Sequence, residues 1–219
     1  MPRALFEKTG KAIYISHLDL MRVFQRAFKR AGLPLTHSQG FNPRPSVSIA
    51  LPLSVGVESS CELLDFELEG EKVPCDQIRD RLNAVLVEGV RVLDVYEDAA
   101  KIKHLAFLDC LVTMEYDAGV PHCAADQIRG LFAQQEVFVE KKSKNGIREE
   151  NIIPMIRSLQ ITSLDENTVE LAARVCCQNP TLNPSQLTAA IDRYLPELSP
   201  DFSRCRRVEV YDTEENIFR

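Results

Sequence analysis

The sequence predicts an α+β fold made of two similar units in tandem, and three observations carry that prediction. Residues 1–100 parse as strand, helix, strand, strand, helix, strand, and residues 104–219 repeat that order. Each half closes on a helix followed by a strand of one pattern, VRVLDVY at 90–96 and RRVEVY at 206–211. No low-complexity segment or long linker separates the halves, and 97–103 is the natural boundary. Two βαββαβ units of this length are the pattern of tandem ferredoxin-like domains, 1–100 and 104–219.

In the first half, residues 3–8 (RALFEK) form a short strand, and 12–15 extend it across a turn at Gly10. A helix follows from about 17 to 31. Segments 47–53 and 62–69 alternate as half-buried strands, the second reading ELLDFELE. Pro74, Cys75 and Asp76 open a helix over 77–87, with Ile78, Leu82, Val85 and Leu86 on one face, and Gly89 ends it before the strand 90–96. In the second half, strands are expected at 105–116, 136–141, 155–162, 168–176 and 207–211, and helices at 124–132 and from about 185 to 194. Asn145-Gly146 marks a hairpin turn inside KKSKNG.

Composition narrows the function classes. The 219 residues include 45% apolar and 26% charged types, ordinary for a globular protein, with no apolar run of membrane-spanning length. The N-terminus, MPRALFEKTGK, lacks the apolar stretch of a secretory signal, so a cytoplasmic protein without membrane contact is expected. The seven cysteines (61, 75, 110, 123, 176, 177, 205) form no CxxC pair. They indicate neither disulfides nor a zinc ribbon, and those at 61, 110, 176 and 205 fall in strands as buried thiols. The histidines at 17, 37, 104 and 122 show no metal-ligand spacing, so no metal is expected. The net charge is −6, yet residues 1–57 hold eight Lys/Arg against two Asp/Glu. One cationic site on an acidic body follows.

That site centres on residues 16–45. At about 100° per residue, Arg22, Arg26, Lys29 and Arg30 share one helix face, and Leu20, Val23, Phe24, Ala27, Phe28 and Ala31 share the other. Ser16 and Asp19 match a capping-box spacing, and Gly32 stands where a C′ glycine stops a helix. The loop THSQGFNPRP follows, stiffened by Pro43 and Pro45. A cationic helix beside a restrained polar loop suits a polyanion. Arg22, Arg26, Lys29, Arg30 and Arg44 are the candidate phosphate contacts, and His37, Gln39 and Asn42 the directional hydrogen-bonding groups. Phe41 is either a base-stacking ring or an apolar peg holding the loop. Lys141, Lys142 and Lys144 with Arg148 form a second basic cluster, read either as edge protection or as further anion contacts. His17 and His37 are an alternative general acid–base pair for metal-independent RNA cleavage.

The run YISHLDLMRVFQRAFKRAGLPLTHSQGFNPRPSVSIALPLSVGVESSCE resembles the bacterial radical SAM-linked protein family, whose members occur beside, or fused to, a radical SAM protein. KKSKNG at 141–146, Ile153-Pro154 and PTLNP at 180–184 also look like that family. The chain lacks the CxxxCxxC that would hold a radical SAM cluster, so no cofactor is expected and a radical SAM protein would be its partner. The resemblance implies a partner of a radical SAM protein, and with the cationic site the expected function is a non-catalytic substrate-recognition module for an RNA, tRNA or rRNA. Two alternatives remain: a tandem ferredoxin-like endoribonuclease using His17 and His37, and a module that only docks the radical SAM partner.

Overall fold

The computed structural model describes residues 1–97, 99–141 and 146–219, together with the backbone of 142 and 143. It is a mixed α+β structure in two compact units, Met1–His104 with Phe218–Arg219, and Leu105–Ile217. The last two residues thus belong to the first unit, which a linear division of the chain cannot anticipate.

Unit 1 contains β1 (Arg3–Lys8), α1 (His17–Arg30), β2 (Val47–Ile49), β3 (Glu58–Phe66), α2 (Cys75–Asn83) and β4 (Val90–Tyr96). Its strands lie in the order β4-β1-β3-β2, every neighbouring pair antiparallel. Alternation sends Ala4 and Phe6 of β1 and Leu64 and Phe66 of β3 to the core, where α1 supplies Leu20, Phe24, Ala27 and Phe28. Phe6 meets Phe24 edge-on at 4.7 Å between ring centroids, and Phe28 lies 4.9 Å from Phe66. Each fully buried Phe contributes about 1.5–3 kcal/mol of transfer free energy. The core therefore fixes which face of α1 points outward.

Three expected strands are altered, the one expected at 62–69 running instead as β3, Glu58–Phe66. Residues 12–15 do not extend β1, because Gly10–Tyr14 winds into a 3-10 turn. The buried Lys8 ammonium donates to the carbonyls of Ile13 (3.0 Å) and Ile15 (2.8 Å), holding that turn down. Gly89, at φ +82°, packs so close that a Cβ would lie 2.4 Å from the Thr9 carbonyl oxygen, so only glycine fits. The strand expected over 47–53 stops at Ile49, ahead of Pro52, which has no N–H to donate.

Unit 2 contains β5 (Leu105–Glu115), α3 (Ala124–Phe132), β6 (Phe138–Ser143), β7 (Gly146–Asn151), β8 (Ile156–Ser163), β9 (Thr168–Cys176), α4 (Ser185–Tyr194) and β10 (Phe202–Asp212). The order β10-β5-β9-β8 is again antiparallel throughout, and β6 pairs with β7 in a separate two-stranded hairpin. β7 (GIREEN) was not expected as a strand, since its exposed residues give no apolar alternation. β10 begins at Phe202, five residues before the expected strand, through a polar stretch that no apolar pattern marks. All seven cysteines are free. Cys61, Cys110 and Cys177 are buried, while Cys176 and Cys205 are only half-buried. Burial pushes the Cys177 thiol up to about 12. Among the described residues no helix is long and apolar enough to cross a membrane.

Candidate nucleic-acid interface

The interface begins with how α1 is held. The Asp19 amide donates to Ser16 Oγ (3.2 Å), and that hydroxyl donates to Asp19 Oδ2 (2.7 Å), closing the expected cap. The hydroxyl's bond and the one from Arg22 Nη1 at 2.7 Å hold the Asp19 carboxyl below its ordinary range. At the other end Gly32 adopts φ +67°. The Gly32 amide donates to Lys29 O (3.3 Å) and the Leu33 amide to Phe28 O (2.9 Å), a Schellman stop that buries Leu33 beside Phe28. With the apolar stripe fixed inward, Arg22, Arg26, Lys29 and Arg30 are all exposed.

Their electrostatic states differ. Arg22 is paired with Asp19. Arg26, Lys29, Arg30 and Arg44 form no ion pair or hydrogen bond with a carboxylate among the described residues. Two other cations in the N-terminal surplus are structural. Lys8 serves the 3-10 turn, and buried Arg3 makes two bonds to Asp65 (2.6 and 3.1 Å) with its guanidinium 5.2 Å from the Phe218 ring centroid.

The polar loop is a small hairpin with a defined stem. The Ser38 amide donates to Arg44 O (2.8 Å), the Arg44 amide to Ser38 Oγ (3.0 Å) and the Ser46 amide to Thr36 O (2.7 Å). Its root is stitched to the chain beyond β3: the Thr36 amide donates to Glu67 O (2.9 Å), and the Glu69 amide to Pro34 O (2.8 Å). The tip, 39–43, carries Gln39, Phe41 and Asn42 outward. Phe41 is 101% exposed, so it is not a peg for the loop.

Between the C-terminal turn of α1 and the hairpin root lies a cleft of about 490 Å³. Phe28, Leu33, Pro34, Leu35 and Pro45 supply its apolar lining, and Gln25, Lys29, His37 and Glu69 its polar groups. His37 Nδ1 stands 3.8 Å from Glu69 Oε1, too long for a hydrogen bond. Lys29 and His37, expected as site residues, thus share one cleft. Gln25 and Glu69 were not expected, because Glu69 arrives only through its pairing with Pro34, thirty-five residues away.

The alternative catalytic pair is not brought together. His17 opens α1 and His37 lies beyond its C-terminal stop. At 1.5 Å per residue, fourteen helical residues separate the two ends by about 20 Å. The second basic cluster is also unlike the first. Lys141 Nζ is bonded to Glu150 Oε2 (2.6 Å) and donates to Thr181 O (2.8 Å), and Arg148 pairs with Glu150 at 3.2 Å. Lys142 lies on β6 with its side chain outside the description, and Lys144 lies outside the described residues.

A family model described as "Uncharacterized protein conserved in bacteria (DUF2344)" matches residues 2–184, which takes in α1, the hairpin and the cleft. The chain belongs to this family. No curated protein matches the chain. Among solved structures, the chain is similar to one in "Crystal Structure of a Cbf5-Nop10-Gar1 Complex" at 11% identity and TM-score 0.52, covering 95% of this chain and 48% of that one. A second, from "Crystal structure of the archaeal box H/ACA sRNP Nop10-Cbf5 complex", has 12% identity and TM-score 0.46, covering 94% and 46%. The chain therefore spans about half the length of these proteins, and at such identity the first likeness speaks for the fold alone.

Proposed function

We propose that the chain is a non-catalytic recognition module that binds single-stranded RNA, with tRNA or rRNA as the candidate source, on α1 and the hairpin of unit 1. The observation that carries this is the set of four exposed cations, Arg26, Lys29, Arg30 and Arg44, none in ion-pair contact with a carboxylate among the described residues, together with a fully exposed Phe41 on the hairpin tip. Phosphates take up such cations and release counterions, while a base stacks on an aromatic ring held out in water. Association with a radical SAM protein is part of the proposal and rests on the sequence resemblance of 14–62. We also infer that both units are ferredoxin-like. The strand order fourth-first-third-second, with a helix before the second and the fourth strands, supports that reading, the β6–β7 hairpin being an insertion before the second strand of unit 2.

Binding of total small RNA to the purified chain, with an acidic protein as competitor, tests the function. The expected result is salt-sensitive RNA retention that survives the competitor and leaves the RNA uncut in EDTA. Displacement by the acidic protein would turn the cationic face toward a protein partner, and no retention at low salt would overturn the reading.

A further inference from the structure

The cleft beside α1 holds chemistry that phosphate binding does not need. Its floor is apolar: Phe28 and Leu33 from the helix stop, Leu35 and Pro45 from the hairpin root. Its polar lining is Gln25, Lys29, His37 and Glu69; the Glu69 carboxylate has His37 Nδ1 3.8 Å away and, like the Lys29 ammonium, makes no side-chain hydrogen bond among the described residues. An apolar slot with a few convergent polar groups is the usual form of a small-ligand site, and about 490 Å³ lies within the range such sites occupy. We propose that this cleft seats one unstacked guanine base of the bound RNA, an inference that rests on the RNA-binding reading above.

The choice of base follows from hydrogen-bond chemistry. An ionised carboxylate only accepts, and it offers two oxygens side by side. The Watson–Crick edge of guanine presents two adjacent donors, N1–H and the N2 amino group, which match both oxygens of Glu69. Adenine sets an acceptor beside its amino donor. Uracil flanks its single N–H with two carbonyl acceptors, which the carboxylate would repel. Lys29, on the helix side of the cleft, is placed for guanine O6 or the adjoining phosphate. The backbone places these groups firmly, since Glu69 hangs from its bond to Pro34 and Lys29 from the last turn of α1. The slot is set against uracil by its donor pattern, and single-stranded readers recognise splayed bases in this manner.

The test compares octauridylate with the same oligomer carrying one central guanosine or one central inosine, measured by fluorescence anisotropy at a fixed salt concentration. The guanosine oligomer is expected to bind at least about fivefold tighter than octauridylate, with inosine, which lacks the N2 amino group, between them. Glu69→Gln, which removes the paired acceptor and the charge that repels uracil carbonyls, should abolish the guanosine advantage while leaving the melting temperature unchanged. Equal binding of guanosine and uridine oligomers by the native chain would overturn the proposal, as would a guanosine preference that survives Glu69→Gln. Failure of every oligomer to bind is a different result, and it removes the RNA-binding reading itself.

Discussion

Arg26, Lys29, Arg30 and Arg44 of unit 1 and Lys141, Arg148, Arg157, Arg174, Arg193 and Arg204 of unit 2 look alike as letters, yet their surroundings differ. Each of the unit 2 cations named here has a carboxylate partner: Lys141 and Arg148 share Glu150, Arg157 and Arg174 share Glu215, Arg193 meets Glu149 and Arg204 meets Glu115. The unit 1 set has none in ion-pair contact among the described residues, Arg26 acting on Asp19 only at longer range. A cation whose charge is already balanced must break its pair before it can hold a phosphate. A basic residue therefore marks a polyanion site only where the fold leaves it without a counter-charge.

The largest expected effect that separates the two regions is on stability. Arg174 makes a two-pronged contact with Asp109 (2.7 and 2.9 Å), a third bond to Glu215 (2.9 Å), and stacks 3.8 Å from the Tyr211 ring centroid. Arg174→Ala should lower unfolding free energy by about 2 kcal/mol in urea titration, because half-buried Asp109 loses its two-pronged donor while Glu215 keeps only Arg157. Arg174→Lys should not restore it, since an ammonium cannot reproduce the fork. RNA affinity should stay unchanged in both variants, and a fall in affinity would erase the contrast drawn here.

Next comes Phe41, where the expectation is reversed. The side chain touches nothing that folding buries, so Phe41→Ala should leave the melting temperature in place. Loss of one stacked base should weaken RNA binding by about 1–3 kcal/mol. A drop in melting temperature with intact binding would return Phe41 to a structural role.

The smallest effect concerns acid. Hydrogen bonds from Arg157 and then Arg174 hold the Glu215 carboxyl below its ordinary range. A lowered carboxylate gives stability that is present above its unfolded value, about 4.3, and lost as pH falls through the folded one. Melting temperatures taken from pH 6 down to about pH 3 should therefore fall less steeply in Glu215→Gln than in the native chain. Parallel curves would show that these pairs are too well screened to matter.

Much of this was legible in the sequence because it is local. The stripe of α1, its Ser16 cap and its Gly32 stop are read from spacings of three and four residues, and α3 and β9 begin and end where their patterns predict. What escaped depends on distance along the chain. Asp65 reaches Arg3 across 62 residues, and Thr181 reaches Lys141 across 40, so no count of Lys and Arg could separate paired from free charge. Glu69 joins the cleft for the same reason, through a backbone bond. The turn at Gly10–Tyr14 escaped for another, since one short apolar run has no period to distinguish strand from 3-10 helix.

The central claim is that unit 1's unpaired cations, and not unit 2's paired ones, hold the RNA. The measurement that reaches it most directly is the slope of log K against log salt for the native chain, for an Arg26→Ala, Lys29→Ala, Arg30→Ala triple variant, and for a Lys141→Ala, Arg148→Ala, Arg193→Ala triple variant of equal charge. The account predicts a slope reduced by about 2 in the first variant, at about 0.7 per lost contact on a single strand, and a native slope in the second. Equal slopes in the two variants would contradict it.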